Sequence, residues 1–213
     1  RSGLKVPAVR MKVCGLTKPE DALLACRLGA DAAGFIFYKK SPRYICPEEA
    51  GRITALLPPF VSRVGVFVDE SPERVRDVFR IAGLDIAQLH GQEPPESLPH
   101  YPGRIIKAFR VQGQESLQEL SRYSPDAFLL DTYRPGQPGG TGATFDWSLA
   151  VQAKQAGPVI LAGGLGPDNI AEAIRAVEPY GVDVSSGVES EPGIKDPEKL
   201  RRFIITCRSL AEE

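Results

Sequence analysis

A compact α/β fold, a single (β/α)8 TIM barrel filling residues 1–213, is what this sequence predicts, and three patterns predict it. Eight apolar runs suited to buried strands begin near Arg10, Asp31, Ser62, Asp85, Arg104, Asp126, Pro158 and Gly181. Their spacing leaves room for one helix between successive strands, as βαβ units require. The runs are apolar on both faces, as in Val64-Gly65-Val66-Phe67-Val68 and Ala127-Phe128-Leu129-Leu130, which is how parallel strands covered on both sides read. Proline followed by an acid recurs where helices should start: Pro19-Glu20, Pro47-Glu48, Pro72-Glu73, Pro95-Glu96, Pro167-Asp168 and Pro197-Glu198. Proline suits a first turn, where its missing N–H costs nothing, and the acid faces the positive end of the helix dipole. A doubly wound open sheet is the alternative, but no GxGxxG follows the first strand.

Taken in order, strand one carries Lys12-Val13-Cys14-Gly15, and Thr17 with Glu20 fits a capping box on the first helix. Helical spacing then groups Val75, Val78, Phe79 and Ala82 on one face. Ile170, Ala173, Ile174 and Val177 form a second such face, and Leu200, Phe203, Ile204, Cys207 and Leu210 a third. Cys207 therefore falls on a core stripe, and Cys26 sits similarly in the first helix. The segment from Pro94 to Pro102 is short and proline-rich, and the helix after Gly142 begins late, at about Phe145. The count is eight strands and about eight helices with no internal domain boundary. Residues 1–9 read as an extension or remnant ahead of the barrel.

Bulk composition narrows the function. A net charge of −1 lacks the basic excess of a nucleic-acid binder. No apolar run approaches the roughly 20 residues of a membrane helix, and the opening segment has no apolar core of a secretory signal. The four cysteines, at 14, 26, 46 and 207, lack CxxC spacing, so free thiols in a reducing cytoplasm are expected.

Polar residues inside barrel strands need a reason, because a buried charge must be paired or serve chemistry. Lys12 and Cys14 share a side of strand one, Lys107 lies in strand five, Asp131 ends strand six, and Asp183 lies in strand eight. Lys107 can equally be a wet strand-end residue. Cys14 and Asp131 both sit at C-terminal strand ends, the rim where this architecture places its chemistry. Cys14 is readable as a small buried hydrophobe or as a proton-transfer group. As a base it needs help, since a thiol with a pKa of about 8.5 is mostly protonated at neutral pH, and Lys12 is positioned to lower it. As a nucleophile it would need a histidine. His90, ending strand four, could reach the pocket, whereas His100 lies in the proline-rich segment and should be on the surface.

Three late loops combine glycine with small hydroxyls or a helix start: Gly139-Gly140-Thr141-Gly142, Gly163-Gly164-Leu165-Gly166 and Ser185-Ser186-Gly187. Glycine lets backbone N–H groups approach an anion, and the loops after strands seven and eight are the usual phosphate seat of a barrel. No P-loop lysine signature is present, which argues against a nucleoside triphosphate. Ser41-Pro42-Arg43-Tyr44 follows strand two, where Arg43 could hold a carboxylate by a two-pronged hydrogen bond or simply be solvated. Metal-spaced clusters of His, Asp and Glu are missing, which disfavours a metal-dependent epimerase.

Several stretches, in this order, resemble the phosphoribosylanthranilate isomerase family. They are Lys12 to Thr17, Gly29-Ala30-Asp31 leading to Gly34-Phe35-Ile36-Phe37, Ser41 to Tyr44, Val64 to Phe67, Gln88-Leu89-His90-Gly91, and Leu130-Asp131-Thr132. The series ends with Gly139 to Gly142 and Phe145-Asp146-Trp147, Leu161 to Leu165, and Asp183 to Glu189. The resemblance runs from about Lys12 to the C-terminus. It implies a cofactor-free Amadori rearrangement of N-(5-phosphoribosyl)anthranilate to 1-(2-carboxyphenylamino)-1-deoxyribulose 5-phosphate, a step of tryptophan biosynthesis. By similarity Asp131 would be the general acid that opens the furanose ring and Cys14 the base that removes the C2 proton. Arg43 would contact the anthranilate carboxylate. Gly163, Gly164, Asp183, Ser185, Ser186 and Gly187 would bind substrate. Asp131 must be protonated to donate, so burial would have to raise its pKa from about 3.9. The expected partner is a small phosphorylated molecule, with no nucleic acid or membrane; monomer and homodimer both remain open. A neighbouring phosphate-binding barrel, such as indole-glycerol-phosphate synthase or a pentose-phosphate epimerase, would need a Lys–Glu set or metal ligands. A catalytically dead phosphate-binding barrel would not need both Cys14 and Asp131.

Overall fold

The computed structural model describes residues 9–111, 113–131 and 147–210. Eight parallel strands close on themselves in sequence order. They are β1 (Arg10–Val13), β2 (Ala32–Ile36), β3 (Ser62–Phe67), β4 (Ile86–Leu89), β5 (Arg104–Arg110), β6 (Ala127–Asp131), β7 (Val159–Ala162) and β8 (Gly181–Val184). Closure comes from β1 pairing β8, with Lys12 opposite Asp183, and this removes the doubly wound alternative. The helices are α1 (Pro19–Leu28), α2 (Pro47–Thr54), α3 (Pro72–Ala82), α4 (Gln114–Leu120), α5 (Trp147–Ala153), α6 (Ile170–Val177) and α7 (Pro197–Ser209). After β8 a short antiparallel hairpin forms from β9 (Glu189–Glu191) and β10 (Ile194–Lys195), which the sequence reading did not foresee.

Strand starts fall within one residue of expectation, and three of the small shifts have one cause. Asp31, Asp85 and Asp126 each stand just before a strand and accept a backbone N–H from the preceding strand. The donors are Met11 at 2.8 Å, Arg63 at 2.9 Å and Ile105 at 2.8 Å. These carboxylates close off the N-terminal rim, where unsatisfied backbone donors would otherwise face the floor.

Four helix starts match the proline–acid pairs, at Pro19, Pro47, Pro72 and Pro197. Pro95 opens a 3₁₀ segment, Pro95–His100, rather than an α-helix, because Pro99 lies inside it and cannot donate. Pro167-Asp168 precedes α6 by a turn, with Asn169 at its N-cap. The capping box is not formed: Lys18 is the N-cap, and the Thr17 hydroxyl donates instead to the Gly193 carbonyl at 2.6 Å.

The main core lies between strands and helices. Phe35, Phe67, Phe128 and Phe203 are fully buried there, each contributing roughly 1.5–3 kcal/mol. Cys207 is in this core as expected, whereas Cys26 is only half-buried. A smaller cluster, Val64, Ile106, Ala108, Ala127, Leu129, Ile160 and Ala162, fills the barrel interior below the rim that carries the polar groups.

Candidate active site

β1 delivers Cys14 to the C-terminal rim. Its N–H donates to the Val184 carbonyl at 2.8 Å, so the thiol-bearing residue is still laddered to β8. Gly15 then turns the chain with φ +73°, a value only glycine adopts freely. A Cβ at Gly15 would sit 2.6 Å from Cδ of Arg43, so the arginine stem lies directly over this turn. A Cβ at Gly34 on β2 would sit 2.8 Å from Sγ of Cys14 and 3.1 Å from Cε of Lys12. Gly34 therefore makes the space in which thiol and lysine meet.

Lys12 and Asp183 pair inside the barrel at 2.8 Å, with side chains only 5% and 10% exposed. Burial works against the Lys12 charge, but Asp183 and Cys14 outweigh it, and its pKa lies above the ordinary lysine value. Cys14 shows the reverse balance. Burial pushes its pKa up, Lys12 and Lys195 pull it down, Asp183 pushes it up again, and burial wins. Lys12 does pull the thiol down, as its place on strand one suggests, but desolvation, with Asp183 behind it, outweighs that pull and leaves the thiol above its ordinary value.

A second charge network sits beneath the β1 turn. Glu189 accepts from Arg43 Nε at 2.9 and 3.0 Å and from Nη2 at 2.7 Å. The same carboxylate accepts from Lys195 Nζ at 2.8 Å, and Lys195 also donates to the carbonyls of Cys14 at 2.6 Å and Ser185 at 3.3 Å. Arg43 is raised above its ordinary value, chiefly by the Glu189 hydrogen bonds. Burial opposes the Glu189 charge, yet Arg43 and Lys195 hold its pKa below the usual carboxylate range. For Lys195 burial wins over Glu189, and its pKa is lowered.

Asp131 ends β6 on the same rim, and His90 follows β4. His90 Nε2 lies 3.9 Å from Asp131 Oδ2, and Gln88 Nε2 lies 3.2 Å from His90 Nδ1. Burial pushes the imidazole below its ordinary pKa; Asp131 opposes this and Lys12 reinforces it. His90 is neutral at neutral pH on that balance. Among the charged groups, Lys12 and Asp183 weigh most on the thiol, after burial.

Between β6 and β1, Gly163 and Gly164 take consecutive positive φ values of 86° and 65° after β7. Asn169 fixes this turn, accepting from Gly166 N at 2.8 Å and donating to the Gly164 carbonyl at 2.9 Å. The next loop closes against it at Gly187, where a Cβ would collide with the Leu165 carbonyl and lie 3.0 Å from Gly166 Cα. The two backbones are therefore packed together, with Ser185 and Ser186 leading into a 3₁₀ turn, Ser186–Val188. The third glycine motif, Gly139 to Gly142, together with Thr132, Phe145 and Asp146, lies outside the described residues.

Comparison with known proteins is decisive. The family model of N-(5'-phosphoribosyl)anthranilate isomerase matches residues 11–206. The chain belongs to the phosphoribosylanthranilate isomerase family. It is 54% identical over 202 residues to the isomerase of Citrifermentans bemidjiense, covering 95% of this chain and 98% of that one. The Thermotoga maritima isomerase crystal structure superposes with a TM-score of 0.89 at 46% identity, covering 94% and 99% of the two chains. A further isomerase structure, in complex with reduced 1-(o-carboxyphenylamino)-1-deoxyribulose 5-phosphate, superposes at 0.86 with 44% identity, covering 94% and 99%. The chain is accordingly a phosphoribosylanthranilate isomerase of tryptophan biosynthesis, built on the TIM barrel that the strand pattern predicts.

The barrel brings Cys14, Lys12 and Asp183 together and lays Arg43 beside them, between Gly15 and Glu189. Lys107 is not part of the site. It is buried on the helix-facing side, donating to Glu93 Oε2 at 2.9 Å and the Gly91 carbonyl at 2.8 Å. Sequence reading missed Glu189 and Lys195, because their hairpin is too short to leave a periodic signal. Among the described residues no group of three His, Cys, Asp or Glu side chains could hold a metal.

Proposed function

We propose that Cys14 and Asp131 divide the proton transfers of the Amadori rearrangement between them. Asp131, on the β6 side, protonates the furanose ring oxygen and opens the ring to a Schiff base. Cys14, on the β1 side, then removes the C2 proton to give the enolamine. The reaction needs one proton placed on oxygen and another taken from carbon, so two groups of different character around one pocket suit it. The observation that supports this reading most is the shared rim, with the thiol beside an internally neutralised Lys12–Asp183 pair. A neutralised pair positions the thiol without committing it to a permanent charge. Arg43 orients the anthranilate carboxylate, and the packed Gly163-Gly164 and Ser185-Ser186-Gly187 loops seat the phosphate, which fixes the ribose between acid and base. Asp183 acts through Lys12, as the counter-charge below the pocket. The test is direct: the protein, given N-(5-phosphoribosyl)anthranilate, should convert it with loss of the substrate's anthranilate fluorescence and without added metal or cofactor. Binding of the reduced product analogue with no turnover would overturn this assignment.

The setting and assembly follow the same reading. The four described cysteines are all unpaired thiols, which suits a cytoplasmic enzyme. Among the described residues no helix is long and apolar enough to cross a membrane. One Thermotoga maritima structure, with a TM-score of 0.85 and 43% identity over 94% of this chain and 99% of that one, is described as monomers generated from the dimeric enzyme. In this chain the N-terminal mouth of the barrel opens into a cavity of about 470 Å³, floored by Ala32, Val64, Ile86, Ile106 and Ile160. Phe60 and Tyr180 line its rim, and Phe60 is 98% exposed. A second copy of the chain on a two-fold axis would bury both patches at once. Phe60→Asp is expected to shift a sedimenting dimer to monomer while kcat stays within about twofold, since the mutation is at the end opposite the chemistry. An unchanged sedimentation coefficient would remove this face from the interface.

A further inference from the structure

Arg43 has five donors, and the hairpin after β8 uses those on one edge of the fork. Glu189 accepts from Nε and Nη2, the geometry of a bidentate clamp, and its own side chain is only 4% exposed. That leaves Nη1 outside the pair, on the edge away from Glu189. The clamp is itself held from every side. Lys195, with a fully buried side chain, donates to Glu189 Oε1 at 2.8 Å and ties it to the Cys14 carbonyl at 2.6 Å. Gly193 N donates to Glu189 Oε1 at 3.2 Å, Thr17 Oγ1 donates to the Gly193 carbonyl at 2.6 Å, and Lys195 N donates to Asp21 Oδ2 at 2.9 Å. The β2 loop and the hairpin thus meet at one carboxylate, and the β1 turn, α1 and the β8 loop hold the hairpin residues around it.

A surface ion pair would not need such a scaffold, and a buried pair is seldom retained for stability, because desolvation offsets most of the attraction. A planar guanidinium, however, recognises a carboxylate only when its fork points the right way. We infer that Glu189, pinned by Lys195, is the positioning residue that sets the orientation of Arg43 and so the recognition of the substrate's aromatic carboxylate. The inference rests on the proposed role of Arg43 and goes beyond it: half of the carboxylate specificity device is supplied by the β9–β10 hairpin. Because Lys195 also holds the Cys14 peptide, the same clamp keeps the carboxylate reader and the base at a fixed separation.

Two stable probes separate this from a merely structural role. One is the reduced product analogue, 1-(2-carboxyphenylamino)-1-deoxyribitol 5-phosphate; the other is the same molecule without the carboxylate. Inhibition constants are measured for the wild type, Glu189→Gln and Arg43→Met. Glu189→Gln is expected to weaken the carboxylated probe roughly ten- to a hundredfold, the scale of loss for a misaligned group, and to leave the other probe nearly unchanged. Discrimination between the probes then falls toward that of Arg43→Met. Should Glu189→Gln fold poorly with Lys195 left unpaired, the double variant E189Q/K195M removes both buried charges and carries the same expectation. Equal weakening of both probes, or full discrimination in the glutamine variant when Arg43→Met has lost it, overturns the positioning role. So does selective tightening of the carboxylated probe, which would mean that Glu189 only competes for Arg43. Full discrimination in Arg43→Met overturns instead the reading of Arg43 on which the inference rests.

Discussion

Cys14→Ala is expected to lower kcat by about 10²–10⁴-fold, the usual contribution of a positioned proton-transfer group, with affinity for the reduced product analogue little changed. The residue is only 5% exposed, and its removal takes away one sulfur atom next to Gly34 without disturbing a charge pair. Lys12 keeps Asp183, and Lys195 keeps Glu189. A large catalytic loss therefore cannot be attributed to a collapsed site, and a melting curve near that of the wild type would document it. Cys14→Ser should be nearly as slow, because a hydroxyl in this desolvated position is a far weaker base precursor than a thiol. The wild-type pH profile supplies a second check. In the proposed mechanism the thiolate is the active form, and burial raises the thiol pKa above its ordinary value. The proton must leave before the group can act, so kcat/KM should still be rising with pH through the normal thiol range. A Cys14→Ala enzyme with near-normal kcat would remove this residue from the mechanism.

Much of this was legible in the sequence because it depends on local chemistry. Strand starts at Arg10, Ser62, Arg104 and Gly181 are where the apolar runs begin, and helix starts at Pro19, Pro47, Pro72 and Pro197 follow from proline's missing donor. The rim positions of Cys14 and Asp131 follow from strand direction alone. What could not be read depends on residues far apart in the chain. Thr17 looks like a cap until the β9–β10 hairpin offers its hydroxyl the Gly193 carbonyl, 176 positions away. Lys12 lowers the thiol pKa as its place on strand one suggests, but barrel closure also puts Asp183, 171 positions away, opposite it, and burial prevails. Arg43 looks free for substrate until Glu189 arrives on its edge. For Lys12 and Arg43 the local signal identified the right side chain, and a closure contact supplied its charge partner.

Asp131→Asn is expected to lower kcat by a comparable factor, about 10²–10⁴, for a different reason. The amide is nearly isosteric and still accepts hydrogen bonds, but it has no acidic proton to give to the ring oxygen. Binding of the reduced product analogue, whose ring is already open, should therefore persist while turnover fails. The close approach of His90 to Asp131 raises the alternative that the imidazole is the donor. The balance of charges speaks against it: burial holds His90 below its ordinary pKa, and a neutral imidazole is a very weak acid. His90→Asn should accordingly cost far less than Asp131→Asn. Asp131→Glu separates placement from acidity, since it keeps the carboxyl group and moves it by one methylene; it should recover part of the rate that the asparagine variant loses. Full activity in Asp131→Asn, or a larger loss in His90→Asn than in Asp131→Asn, would transfer the acid role away from the β6 carboxyl. The division of labour between the two sides of the rim would then have to be redrawn around the imidazole.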